Sequence, residues 1–163
     1  LVFIGNINRK EKGFDFLIKS LLSVYIPYKL FVISDINDIS DKSKLSIDNS
    51  KLVIVNKMVP SQMIEFFKDK NIIVSTSEYE PFSISVLEAI SCGLIPIITR
   101  ETGVIDIIEG YYPNSFVDYG DTVSLSNLIR DKITNLYREE YRFEKNNYSW
   151  KNVLINYYVQ YYA

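Results

Sequence analysis

Two glutamates in the segment "STSEYEPFSISVLEAISCGLIPIITR", residues 75–100, stand where chemistry is possible. Glu80 precedes Pro81 and Phe82; Glu88 comes after seven intervening residues, among Ile84, Val86, Leu87, Ala89 and Ile90. Acidic residues near a helix start are ordinary, because the dipole there is positive. That accounts for Glu80. A carboxylate in an apolar segment such as the one around Glu88 needs a partner or a task.

A helix starting near Phe82 would leave the amides of Ser83, Ile84 and Ser85 free to bind an anion, with Pro81 suited to its entry. Spacing puts Glu80 just outside that helix and Glu88 about two turns into it. A phosphate on the amides would then have a carboxylate on either side. Glu88 can accept hydrogen bonds from vicinal hydroxyls such as those of a ribose, and Glu80 from those of a second sugar. The plain alternative keeps both as helix-terminus and surface acids. Ser75, Thr76 and Ser77 add hydroxyls to the same loop.

A second loop, "GNINRKEKG" (5–13), holds Gly5, Gly13 and the cations Arg9, Lys10 and Lys12. Glycine and cations beside a helix N-terminus suit a phosphate; a solvated turn is the alternative. The spacing is neither G-x-G-x-x-G nor a Walker A sequence. Cys92, before Gly93, reads as a small residue at a helix end, since the chain has no His to activate it. Trp150 reads as an anchor for the last helix.

The elements that must position these loops follow from hydrophobic pattern. Apolar runs at 1–4, 30–33, 52–55, 72–74, 95–98 and 115–117 are continuous, as in strands buried on both faces. Helical patterns occupy about 13–25, 61–69, 82–92, 104–109, 122–140 and 150–162, with a polar connection at 35–50. This alternation predicts an α/β fold: a doubly wound, Rossmann-like parallel sheet of about six strands, order 3-2-1-4-5-6, with helices on both faces. Ligands bind such sheets between strands 1 and 4, which brings Lys12 and Glu80 to one crevice.

Composition removes several function classes. Of 163 residues 47% are hydrophobic and 23% charged, ordinary for a globular domain. A net charge of −2 gives no general attraction to nucleic acid. The absence of His removes the commonest general base and metal ligand, and no ligand set for a metal is evident. The single Cys permits no internal disulfide and suits a reducing compartment. No run is long and apolar enough to span a bilayer. The chain opens on "LVFIG", already inside a strand, which reads as a piece of something longer.

The block around the glutamates resembles the signature of the group 1 family of retaining glycosyltransferases with the GT-B fold. Its Ser, Glu-x7-Glu-Ala, Gly and Pro fall on Ser77, Glu80, Glu88, Ala89, Gly93 and Pro96. "VFIGNINRKEKGFDFLIKSL" resembles the family's strand–loop–helix with its Lys-Gly pair, Lys12 and Gly13. "ETGVIDIIEG" is similar to the segment after the fifth strand, and "YSWKNVLINYYVQYY" to the closing Ser-Trp helix.

The resemblance implies a nucleotide-sugar site on the C-terminal, donor-binding domain, with residues 1–163 lacking the N-terminal acceptor domain. Lys12 would contact the donor diphosphate, within a first loop that includes Gly5 and Arg9. Glu80 would bind hydroxyls of the transferred sugar, beside the backbone of Phe82, Ser83 and Ile84. Glu88 would bind the ribose, and the base would lie near Met58 and Val59. Lys12 and Glu80 are the residues assigned to the transfer itself. Asn6 departs from the family, which often has Arg directly after the first-loop glycine; Arg9 or Lys10 would have to substitute. Ser83 departs where Gly is common.

The implied activity is that of a retaining hexosyltransferase using a UDP-, GDP- or ADP-sugar, without a cofactor or metal. The acceptor would be a glycan or lipid-linked molecule in polysaccharide biosynthesis, held by the missing domain, so the isolated chain would be inactive. The implied location is cytoplasmic, with peripheral association of the full-length enzyme at the inner face of the membrane. A non-catalytic nucleotide-sugar-binding module is the alternative. A methyltransferase or dehydrogenase domain is a more distant one, since the glycine fingerprint is missing.

Overall fold

The continuous apolar runs become strands because both sheet faces are covered. The computed structural model describes residues 1–35, 48 and 50–136. In it β1 (Val2–Ile4), β2 (Leu30–Ser34), β3 (Leu52–Asn56), β4 (Ile72–Ser75), β5 (Ile95–Thr99) and β6 (Phe116–Val117) form one sheet. Every pairing is parallel and the order is β3-β2-β1-β4-β5-β6, the order read from the sequence. Successive side chains leave a strand on opposite faces, so each strand feeds two cores. Phe3, Val32, Ile72, Val74 and Ile97 join one cluster, and Val2, Ile33, Ile73 and Ile98 the other.

The helices divide the same way. Phe14, Leu17 and Leu21 of α1 (Phe14–Leu21) and Leu125 and Ile129 of α5 (Thr122–Thr134) cover the first face. Phe67 of α2 (Pro60–Phe67), Val86, Ala89 and Ile90 of α3 (Ile84–Ser91) and Ile108 of α4 (Ile105–Ile108) cover the second. The sheet is therefore doubly wound. Asp121 caps α5 as its side chain accepts from the Ser124 N–H at 2.9 Å. Among the described residues no helix is long and apolar enough to cross a membrane.

Boundaries differ from the sequence reading in ways that matter to the site. α1 stops at Leu21, where Ser23 and Val24 bond three residues back rather than four, tightening the chain. α3 starts at Ile84 rather than 82, so Pro81 precedes the N-cap Ser83 instead of opening the helix. Glu88 is then the fifth residue of α3, little more than one turn in. A residue before proline is driven to extended backbone, and Glu80 pairs as a parallel bridge with Thr102. A short 3-10 turn at Lys10–Lys12, absent from the sequence reading, closes the first loop. Residues 137–140 of the expected fifth helix, the helix at 150–162 with Trp150, and most of the 35–50 connection lie outside the described residues.

Candidate functional site

Parallel strands send all their outgoing loops to one end of the sheet, and β1 and β4 are neighbours where strand order reverses. The first loop leaves β1 through Gly5. The side chain of Asn6 accepts from the Asn8 N–H at 2.8 Å, which makes the turn. The 3-10 turn follows and ends at Gly13, whose φ of 66° is left-handed. Gly13 also has no room for a side chain, since a Cβ there would meet the Thr76 carbonyl oxygen at 1.8 Å. Thr76 Oγ1 donates to Gly13 O at 2.9 Å and lies 3.3 Å from Lys12 O. The Glu78 N–H donates to Glu11 O at 2.8 Å. The loops after β1 and β4 are thus joined through main chain as well as side chain.

Lys12 lies on this seam. Its ammonium pairs with the Glu80 carboxylate, both side chains mostly shielded at 26% and 17% exposure. A Cβ built at Gly5 would lie 3.5 Å from Lys12 Cγ, an ordinary packing distance, so the lysine stem runs alongside Gly5. The cation and the carboxylate that the sequence places at one crevice therefore touch.

Glu80 is fixed from its other side by the turn after β5. Its N–H donates to Glu101 O at 3.1 Å, and its carbonyl accepts from the Gly103 N–H at 2.9 Å. Gly103 packs so closely that an added Cβ would stand 2.1 Å from Pro81 O. Thr99, fully buried, donates its hydroxyl to Ser77 O at 2.6 Å. Sequence pattern alone assigns no role to Thr99, Thr102 or Gly103, although "ETG" lies within the segment that resembles the family's stretch after the fifth strand. The T-x-x-T-G spacing directly after a buried strand was the available signal.

The remaining candidates fall in three groups. Ser83 is buried at the N-cap of α3, with its hydroxyl 3.4 Å from that of Ser85. The first helical bond of α3 is Leu87 N–H to Ser83 O, so the amides before it point out of the helix with no helical acceptor. Phe82 and Ile84 flank that terminus with exposed side chains. Glu88 is exposed, so α3 is amphipathic at that point and burial does not force the carboxylate to have a partner. Met58 is half-buried against the second core cluster, and Val59, exposed, caps α2; both lie on the loop after β3, two strands from β1.

Arg9 is turned to Glu11, its Nη2 2.6 Å from the carboxylate, in an exposed pair. Hydrogen bonds from its own main-chain N–H and from Arg9 hold the Glu11 carboxyl below the usual carboxylate range. Lys10 is exposed in the 3-10 turn. Neither cation joins the Lys12–Glu80 contact. Among the described residues no group of three His, Cys, Asp or Glu is arranged to hold a metal.

Known proteins are similar to this chain in sequence or in fold. The "Probable sucrose-phosphate synthase" of Thermosipho melanesiensis is 31% identical over 85 residues, which are 52% of this chain and 20% of that protein. Among solved structures, sucrose-phosphate synthase from Thermosynechococcus elongatus superposes with a TM-score of 0.74 at 16% identity, over 98% of this chain and 44% of that one. The catalytic domain of cholesterol-alpha-glucosyltransferase from Helicobacter pylori gives a TM-score of 0.65 at 19% identity, over 95% of this chain and 98% of that one. HepE from Anabaena, solved in complex with UDP-glucose, gives 0.65 at 18% identity, over 82% of this chain and 39% of that one. The chain thus spans a fifth of the sequence relative and less than half of two of these structures. The family described as Glycosyl transferases group 1 matches residues 1–150. With its parallel sheet in 3-2-1-4-5-6 order, this chain belongs to that glycosyltransferase family.

Proposed function

We propose that the chain is the donor-binding part of a retaining glycosyltransferase that moves a hexose from a nucleoside-diphosphate sugar to a glycan or lipid-linked acceptor. The observation that carries this reading is the meeting of Lys12 and Glu80 at the strand-order reversal, beside the open amides of α3. Lys12 takes the diphosphate with help from those amides. As the bond to the anomeric carbon breaks, negative charge grows on the leaving diphosphate, and fixed donors aimed at it lower the barrier. Glu80 holds hydroxyls of the transferred sugar, and Glu88 the ribose. Gly5 and Arg9 border the diphosphate in the first loop, and the main chain at Phe82, Ser83 and Ile84 lies against the donor. Met58 and Val59 border the base. No metal or cofactor is assigned to the step. The complex of HepE with UDP-glucose supports a uridine donor as the first to test; GDP- and ADP-sugars are the alternatives. The reading places the acceptor on a preceding domain, the work in polysaccharide assembly and the protein in the cytoplasm, at the inner membrane face when full-length.

One observation favours a second reading, a nucleotide-sugar-binding module without catalysis. Asn6 is spent on its own turn and Arg9 on Glu11, so the first loop brings one cation, Lys12, to the carboxylate. Titration with UDP, GDP, ADP and S-adenosylmethionine tests the binding common to both readings. Binding of one nucleoside diphosphate and not of S-adenosylmethionine is expected. Preference for S-adenosylmethionine would overturn both. Sugar transfer by the full-length protein separates the enzyme from the module.

A further inference from the structure

The Lys12–Glu80 pair closes on itself what the donor needs from each partner separately. Neither partner is free to drift away. Lys12 O and Gly13 O face the Thr76 hydroxyl at 3.3 and 2.9 Å, and Gly13 lies against the Thr76 carbonyl. Glu80 is held at both its N–H and its C=O by the turn after β5, where Gly103 is packed on Pro81. The main chain under each partner is therefore held in place, and the carboxylate can re-form its pair with the lysine whenever the site empties.

We propose that Glu80 is an internal competitor for Lys12 and that this competition selects the intact nucleotide sugar over its sugar-free diphosphate. The proposal rests on the donor reading above. An intact donor compensates both partners, its diphosphate taking Lys12 and its sugar hydroxyls taking Glu80. A bare diphosphate compensates Lys12 alone. It leaves a largely shielded carboxylate without its cation and beside added negative charge, which is unfavourable. The same asymmetry acts after transfer. Once the sugar has gone, Glu80 is free to return to Lys12 and displace the diphosphate, so the pair favours product release.

Inorganic pyrophosphate isolates the effect, because it carries neither base nor sugar. Calorimetric titration of the 163-residue chain is compared with that of Glu80→Gln, Glu80→Ala, Glu101→Gln and the double variant Glu80→Gln/Lys12→Met. Both Glu80 variants should bind pyrophosphate about 3- to 10-fold more tightly than the parent, the range of a partly exposed ion pair. The double variant should lose that gain. Glu101→Gln, which removes an acid from the clamping turn, should change the affinity less than about twofold. Unchanged or weaker affinity in the Glu80 variants would overturn the proposal. So would an equal gain in Glu101→Gln, or pyrophosphate binding to none of the proteins. Failure of the donor reading shows separately, as no binding of any nucleoside diphosphate or nucleotide sugar by the parent chain while the Glu80 variants still gain affinity for pyrophosphate.

Discussion

Gly13→Ala probes the seam on which the site depends. Two costs are separable. A left-handed φ of 66° is strained for any residue with a Cβ, at about 1–2 kcal/mol. The new methyl would also lie 1.8 Å from the Thr76 carbonyl oxygen, 1.2 Å short of the 3.0 Å below which something must shift. Backbone on both sides has to separate, which breaks the Thr76 hydroxyl's 2.9 Å bond to Gly13 O. A buried group left without its partner costs about 1–3 kcal/mol more. The total is about 2–5 kcal/mol, or about 4–20 °C in Tm for a domain of this size. Gly93→Ala is the matched control: its φ is 94°, but nothing lies within 4 Å of the added Cβ, so only the dihedral cost remains. Urea unfolding followed by circular dichroism measures both. Equal losses for the two variants would refute the claim that the loops are in contact at Gly13.

Lys12→Ala should weaken nucleoside-diphosphate binding by about 1.5–3 kcal/mol, the range of a charge-assisted hydrogen bond, and equal affinities by calorimetry would count against the assignment. Thr99→Val keeps shape but removes the hydroxyl that reaches Ser77 O; it should cost about 1–3 kcal/mol in urea unfolding, and a loss under about 0.5 kcal/mol would mean the bond is immaterial. Glu88→Gln should weaken binding of the free nucleoside by roughly 1 kcal/mol, whereas an unchanged nucleoside affinity would return Glu88 to an ordinary surface acid. Donor binding should persist in chelator, since no metal is assigned; a strict need for a divalent ion would point to a different site.

The sheet was legible because burial on both faces writes itself into sequence as unbroken apolar runs. Each of the six runs lies within one residue of its strand at each end, and their order is the commonest one for a doubly wound sheet of six strands. The approach of Lys12 to Glu80 was legible for the same reason: it needs only the fold and two loop positions. What stayed hidden depends on contacts distant in sequence. The clamp on Glu80 comes from residues 101–103, and α3 starts only at Ile84. Local spacing alone carried the helix back to 82, since apolar periodicity does not mark the first residue of a helix. Glu88 looked buried in a list of apolar neighbours, yet it occupies the open face of a helix whose other face carries Val86, Ala89 and Ile90. Arg9 looked available as a cation until its exposed pairing with Glu11 two residues on was in view.

A crystal structure of the chain with the nucleotide sugar that titration selects tests the central claim most directly. The account predicts diphosphate oxygens within hydrogen-bond distance of Lys12 Nζ and of the first amides of α3. It predicts sugar hydroxyls on Glu80, ribose hydroxyls on Glu88, and the Lys12–Glu80 pair opened. A nucleotide bound away from the end of the sheet between β1 and β4, or bound there with the pair intact and Glu88 untouched, would contradict it.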